Sequence, residues 1–128
     1  MIVGFGLDVV EIARIGRLLA SATGDRFLAR CFTDRERTFC DRFQDRAQRY
    51  AARFAAKEAA SKALGVPDGI GFHHVEVVRD RGAPTLALHG AAERRAAELG
   101  VARVHLTLSH DAGVAVAAVV LEATEHRP

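Results

Sequence analysis

The chain has 128 residues, 27% of them charged and 49% hydrophobic, and a net charge of +2. Those values describe one soluble domain, residues 1–128, that buries roughly two-thirds of its unfolded surface without disulfide or metal staples. The longest apolar run, residues 112–121, has ten residues, too few for a bilayer crossing of about 20, so no membrane role is expected.

Residues 2–7 alternate as a strand, with Val3, Phe5 and Leu7 on one face and Gly4, Gly6 and Asp8 on the other. Glycines beside Asp8 leave room for a helix or a ligand to approach the backbone. Residues 9–20 read as a helix with Ile12, Ile15 and Leu19 inward and Glu11, Arg14 and Arg17 outward. Thr33-Asp-Arg-Glu36 is a capping box that opens a second helix towards Phe43. Residues 48–64 form the longest helix, stopped by Gly65 with Pro67 beyond. Residues 74–79 and 85–89 are strands around the turn Arg81-Gly-Ala-Pro84, and residues 91–99 are a short helix ended by Gly100. Strands 104–108 and 114–121 follow, joined by Ser109-His-Asp-Ala-Gly113, and the tail after Glu122 is expected to fray. The fold class is α+β, an antiparallel sheet with helices packed on one side.

Residues 1–8 carry no basic n-region and no cleavage site, so no signal peptide is read. Cys31 and Cys40 lack the paired spacing of a zinc site and read as reduced, buried thiols of a cytoplasmic protein. Between Arg14 and Arg53 ten arginines face five acids, an excess that steers an acidic partner or is simply a solvated face.

Lysine is avoided everywhere except at Lys57 and Lys62, which flank Glu58 within about two helical turns. Glu58 and Lys62 stand four residues apart, the spacing of a surface ion pair worth a few tenths of a kcal/mol. The alanines around them let the helix press on a sheet, leaving Glu58 partly buried, where a divalent cation relieves the burial of its charge. Asp8 fits two descriptions: a helix N-cap with Glu11 three residues on, or a hard oxygen ligand for Mg²⁺ beside Glu58. Ser109-His110-Asp111 is either a polar hairpin loop or a corner where His110 donates to a phosphate or acts as a base and Asp111 orients it or binds metal. His73, His74, His89, His105 and His126 show no ligand spacing.

Four segments in order resemble the holo-[acyl-carrier-protein] synthases, small 4′-phosphopantetheinyl transferases. They are Gly4-Phe-Gly-Leu-Asp8 through Arg14, Phe32-Thr-Asp-Arg-Glu36 with Phe39-Cys40, Arg53-Phe-Ala-Ala-Lys-Glu-Ala-Ala-Ser-Lys-Ala-Leu-Gly65, and Leu108-Ser-His-Asp111 before the last strand. The hairpin turn that the family writes Gly-Lys-Pro is Gly82-Ala83-Pro84 here, so a turn-lysine contact to the cofactor is absent.

The resemblance implies transfer of the phosphopantetheine arm of coenzyme A to a serine of apo acyl carrier protein, releasing adenosine 3′,5′-bisphosphate, within fatty-acid or polyketide synthesis. Such a displacement at phosphorus needs positive charge where the leaving oxygen becomes negative. By resemblance Asp8 and Glu58 hold Mg²⁺, and Lys62 neutralises diphosphate oxygens. Arg53, Ser109 and His110 meet the coenzyme A phosphates, and Asp111 is a candidate beside His110. The serine proton passes to Glu58 through a water or to a metal-held water. Arg14 and Arg17 dock the acidic carrier protein, with Arg26 and Arg30 further candidates, and the assembly is a homotrimer with sites between subunits. Two other classes fit less of the chain: a Mg²⁺-dependent nucleotide hydrolase, and a nucleic-acid-binding module, which the interleaved acids and missing stacking platform count against.

Overall fold

The computed structural model describes residues 1–124. In chain order it comprises β1 (Ile2–Glu11), α1 (Ile12–Ala20), α2 (Gly24–Cys31), α3 (Asp34–Cys40), α4 (Arg46–Ala63), a 3-10 turn (Phe72–His74), β2 (Val75–Val78), β3 (Thr85–Leu88), α5 (Gly90–Glu98), β4 (Val101–Asp111) and β5 (Val114–Ala123). The expected α+β class holds, but the strands form two antiparallel sheets rather than one: β1-β5-β4 and the hairpin β2-β3.

The glycines of β1 decide how the layers meet. A Cβ on Gly4 would lie 2.2 Å from the Ala63 carbonyl oxygen, and one on Gly6 would lie 1.8 Å from that of Ala59. Helix α4 therefore rests backbone-on-backbone against β1, with Ala55, Ala59 and Ala63 buried in the contact. The next residue on the same face of β1 is Asp8. The other face is turned outward: Phe5, Leu7 and Val9 are 61%, 49% and 56% exposed. Across the ladder they stand beside Val120, Ala118 and Val116 of β5.

Several boundaries differ from the sequence reading, and three of the differences bear on the site. Strand β1 continues to Glu11, which is itself the N-cap of α1; Asp8 lies in the strand and is not a helix cap. Helix α2 follows α1 where no element was read. Its Thr23 N-cap and inward Phe27, Leu28 and Cys31 carried a short signal. The Ser109–Gly113 loop is in fact a two-residue turn, because Ala112 (φ 51°) and Gly113 (φ 82°) both take the left-handed conformation that tight hairpins require. Ser109, His110 and Asp111 are thus the last residues of β4.

Other expectations hold in detail. Thr33 caps α3 reciprocally with Glu36. Gly65 (φ 85°) ends α4 with Gly65 N–H donating to Lys62 O and Val66 N–H to Ser61 O, a Schellman arrangement. Ile15 is fully buried under α1 while Arg14 and Arg17 face solvent. Cys31 and Cys40 are free and buried, and burial pushes the Cys40 thiol up to about 12. Of the expected frayed tail, Ala123 closes β5; residues 125–128, including His126, lie outside the described residues. Among the described residues no helix is long and apolar enough to cross a membrane.

Candidate active site

The site grows from the glycine seam between β1 and α4. Because Gly6 brings the two backbones together, Lys62 at the C-terminal end of α4 reaches back over β1. Its Nζ donates to Asp8 Oδ1 at 3.0 Å and to Leu7 O at 3.0 Å. The Asp8 side chain is 17% exposed and that of Lys62 is 50% exposed, so the pair sits at the rim of the seam. Lys62 pairs with Asp8, not with Glu58 as the helical spacing allowed. Glu58, one turn earlier on α4, is half-buried and makes no hydrogen bond or ion pair among the described residues. It lines a small cavity of about 90 Å³ with Ser61, Ile70 and Phe72.

A second group lies on the far side of α4. Arg53 and Lys62 are nine residues apart, which puts their side chains about 180° apart around the helix. Arg53 opens, with Arg49, Arg79, Ser109 and His110, into a cavity of about 230 Å³. Its guanidinium stacks 4.3 Å above the Phe39 ring and donates weakly to Arg49 O at 3.4 Å. The buried Nε–H has no acceptor among the described residues. Burial draws the Arg53 pKa below its ordinary value, against the pull of Cys40 and Glu36. Three arginines and a histidine around one cavity form an anion-binding surface. The expected trio Arg53, Ser109 and His110 is together, and Arg49 and Arg79 join it. Arg49 was legible as the residue one turn before Arg53; Arg79 arrives from the β2-β3 hairpin with no sequence signal.

Asp111 does not line that cavity. Its Oδ1 accepts from Ala112 N–H at 2.8 Å, which steadies the hairpin turn. Arg14 stands exposed on α1, whereas Arg17 is tied to Glu11 at 3.2 Å with both side chains mostly in solvent. Arg26, Phe27 and Arg30 border a shallow groove with Phe54 and Phe72, on the same side of the molecule as the Glu58 cavity, which shares Phe72.

Lys57 lines the Glu58 cavity with its side chain, but its ammonium is engaged elsewhere. Its Nζ is fully buried, 2.7 Å from Glu36 Oε1, and donates to Phe72 O and Val75 O at 2.9 and 2.5 Å. Desolvation lowers the Lys57 pKa, with Glu36 pulling the other way. No group of three or more His, Cys, Asp or Glu side chains that could hold a metal is found among the described residues.

The fold is an α+β sandwich of two antiparallel sheets and one long alanine helix, with a carboxylate–lysine seam on one side of that helix and an arginine–histidine cavity, suited to an anionic ligand, on the other. The chain belongs to the 4′-phosphopantetheinyl transferase superfamily, whose sequence model matches residues 4–119. It is 65% identical over 126 residues to the holo-[acyl-carrier-protein] synthase of Anaeromyxobacter sp. (strain K), covering 97% of this chain and 98% of that one. Among solved structures it resembles the holo-(acyl-carrier-protein) synthase of Bacillus anthracis str. Ames in complex with CoA (3′,5′-ADP), with a TM-score of 0.78, 37% identity and 97% and 99% coverage. The Neisseria meningitidis holo-[acyl-carrier-protein] synthase gives a TM-score of 0.84 at 33% identity, with 95% and 99% coverage.

Proposed function

We propose that this chain transfers the 4′-phosphopantetheine arm of coenzyme A to a serine of apo acyl carrier protein, leaving adenosine 3′,5′-bisphosphate. The observation that carries the reading is the Lys62–Asp8 contact at 3.0 Å across the glycine seam, with Glu58 one turn away. It sets a cation and two carboxylates where a diphosphate and a divalent ion are handled together. Coenzyme A in the Bacillus anthracis relative supports the substrate.

Mg²⁺ fits the residues present. Asp8 and Glu58 offer hard oxygen donors, and with only two carboxylates the remaining ligands come from substrate phosphate and water, as Mg²⁺ prefers. Bound there, the ion supplies charge neutralisation for the diphosphate. Lys62 adds a mobile point charge, and its half-exposed stem lets the ammonium turn from Asp8 to a phosphate oxygen. On the opposite side of α4, Arg53, Arg49 and His110 hold the 3′-phosphate, with Ser109 beside them. Asp111 stays a candidate only for steadying the β4-β5 turn that carries His110.

The two groups are separated by the body of α4, and their strand members, Asp8 on β1 and His110 on β4, stand on the two edge strands of the β1-β5-β4 sheet, about 10 Å apart in strand spacings. One ligand touches both when they come from neighbouring copies. The bare apolar face of Phe5, Leu7 and Val9 supports such an assembly, and a homotrimer with shared sites is the arrangement we infer. Phe5→Glu is expected to give monomers in analytical ultracentrifugation with at least a tenfold loss of activity; an intact trimer rejects this face as the contact.

The exposed Arg14, with Arg17, Arg26 and Arg30 nearby, suits an acidic carrier protein, and such rim charges act on encounter and register. Arg14→Glu is expected to raise the KM for carrier about tenfold while leaving coenzyme A affinity unchanged; the reverse pattern places Arg14 elsewhere. The reading sets the enzyme in the cytoplasm, where the free Cys31 and Cys40 stay reduced. It is tested by following adenosine 3′,5′-bisphosphate. Release that depends on apo carrier supports the transferase, and release from coenzyme A alone favours a nucleotide hydrolase.

A further inference from the structure

Lys57 is one of two lysines in the chain, yet the proposed chemistry does not use it. Its ammonium has three donors, and they meet three acceptors from three separate elements: Glu36 Oε1 on α3, Phe72 O in the 3-10 turn and Val75 O at the start of β2. Glu36 uses both carboxylate oxygens in turn, accepting also from Thr33 N–H at 2.9 Å and Val77 N–H at 2.9 Å. The network continues through Thr33 Oγ1, which donates to Glu76 Oε2 at 2.6 Å.

A buried ion pair is a weak source of stability, because apolar residues of similar volume often do as well or better. What this pair does that an apolar pair cannot is fix two backbone carbonyls at set distances from α4. Those carbonyls belong to the segment that forms, with Ile70 and Phe72, the wall facing Glu58. Among the described residues Glu58 has no hydrogen bond to hold its rotamer, so the wall is what limits where its carboxylate goes.

We propose that Lys57 is a positioning residue: through its ion pair with Glu36 it clamps the Phe72–Val75 backbone, and this clamp sets the Glu58 carboxylate for its role in transfer. The inference rests on the transferase reading above. An arginine cannot substitute, because a planar fork does not reach three acceptors arranged around a point.

The test separates clamping from folding. Lys57→Met alone leaves Glu36 charged and buried, and it is expected to lower the melting temperature sharply. Lys57→Met with Glu36→Gln removes both charges, and the double variant is expected to recover most of the melting temperature. Its kcat is nevertheless expected to stay at least tenfold below wild type, with the KM for carrier unchanged. Calorimetric titration of Mg²⁺ into the double variant with coenzyme A is expected to show at least tenfold weaker metal binding. Lys57→Arg is expected to fall with the double variant in both readouts. A double variant with wild-type kcat and Mg²⁺ affinity overturns the proposal and leaves the pair a purely structural one. Wild-type protein without transferase activity overturns the underlying reading instead.

Discussion

Glu58→Gln is expected to reduce transfer by about a thousandfold at saturating coenzyme A, the size of effect seen when a charge-stabilising group is removed from a phosphoryl or acyl transfer site. The substitution keeps volume and shape, and Glu58 makes no hydrogen bond or ion pair among the described residues. Stability should therefore stay within about 0.5 kcal/mol of wild type. Asp8→Ala is expected to match it in activity while also releasing Lys62 from its 3.0 Å contact. Raising Mg²⁺ should restore part of the Asp8→Ala rate if Asp8 is a metal ligand. Near-normal rates at low Mg²⁺ for both variants, measured by initial-rate assay, remove these carboxylates from the chemistry.

The second large effect falls on the fold. Gly6→Val is expected to unfold the protein or cost more than about 4 kcal/mol, because even a Cβ there sits 1.8 Å from the Ala59 carbonyl oxygen. That atom is backbone and cannot rotate away, so α4 must lift off β1, and the Asp8–Lys62 contact goes with it. Gly16→Ala is the matched control. Its Cβ meets only Ala47 Cβ at 3.8 Å, and in the interior of α1 an alanine should gain up to about 1 kcal/mol. Chemical denaturation of the two variants compares them directly. A Gly6→Val protein as stable as wild type contradicts the close seam.

These two positions also show why parts of the molecule could be read from sequence. Gly4 and Gly6 alternate with apolar residues in a strand, so the close approach of a helix was legible as a missing row of side chains. The alanines of α4 gave the complementary surface. The helix stop at Gly65 and the Thr33–Glu36 capping box were likewise local chemistry, fixed within a few residues. The sheet split was not legible, since β2 and β3 pair through backbone groups that any residue carries. The outward turn of the β1 apolar face was not legible, for a physical reason. Phe5, Leu7 and Val9 have the pattern of a core face, and here it is bare because the glycine face is the one the helix needs.

For the candidate site, the reading of one long helix put the three proposed site residues Arg53, Glu58 and Lys62 on a single element, and α4 carries all three. The nine-residue spacing also puts Arg53 and Lys62 on opposite sides of that helix, but it could not tell which neighbours each one meets. The arrival of Arg79 at the Arg53 cavity was invisible for the same reason, because it depends on where a hairpin folds back. Helix geometry already set Lys57 about 100° around from Glu58, towards a wall or a subunit contact, and burial sharpens the difference from Lys62. The Lys62 side chain is 50% exposed beside Asp8, whereas Lys57 is locked against Glu36.

Intact mass spectrometry of an apo acyl carrier protein, incubated with this protein, coenzyme A and Mg²⁺, is the most direct measurement of the proposed activity. The expected result is a gain of about 340 Da on the carrier, the mass of the arm that phosphoryl transfer delivers, lost when the acceptor serine is replaced by alanine. An unchanged carrier mass across a panel of fatty-acid and polyketide carriers, with folded and trimeric enzyme, contradicts it.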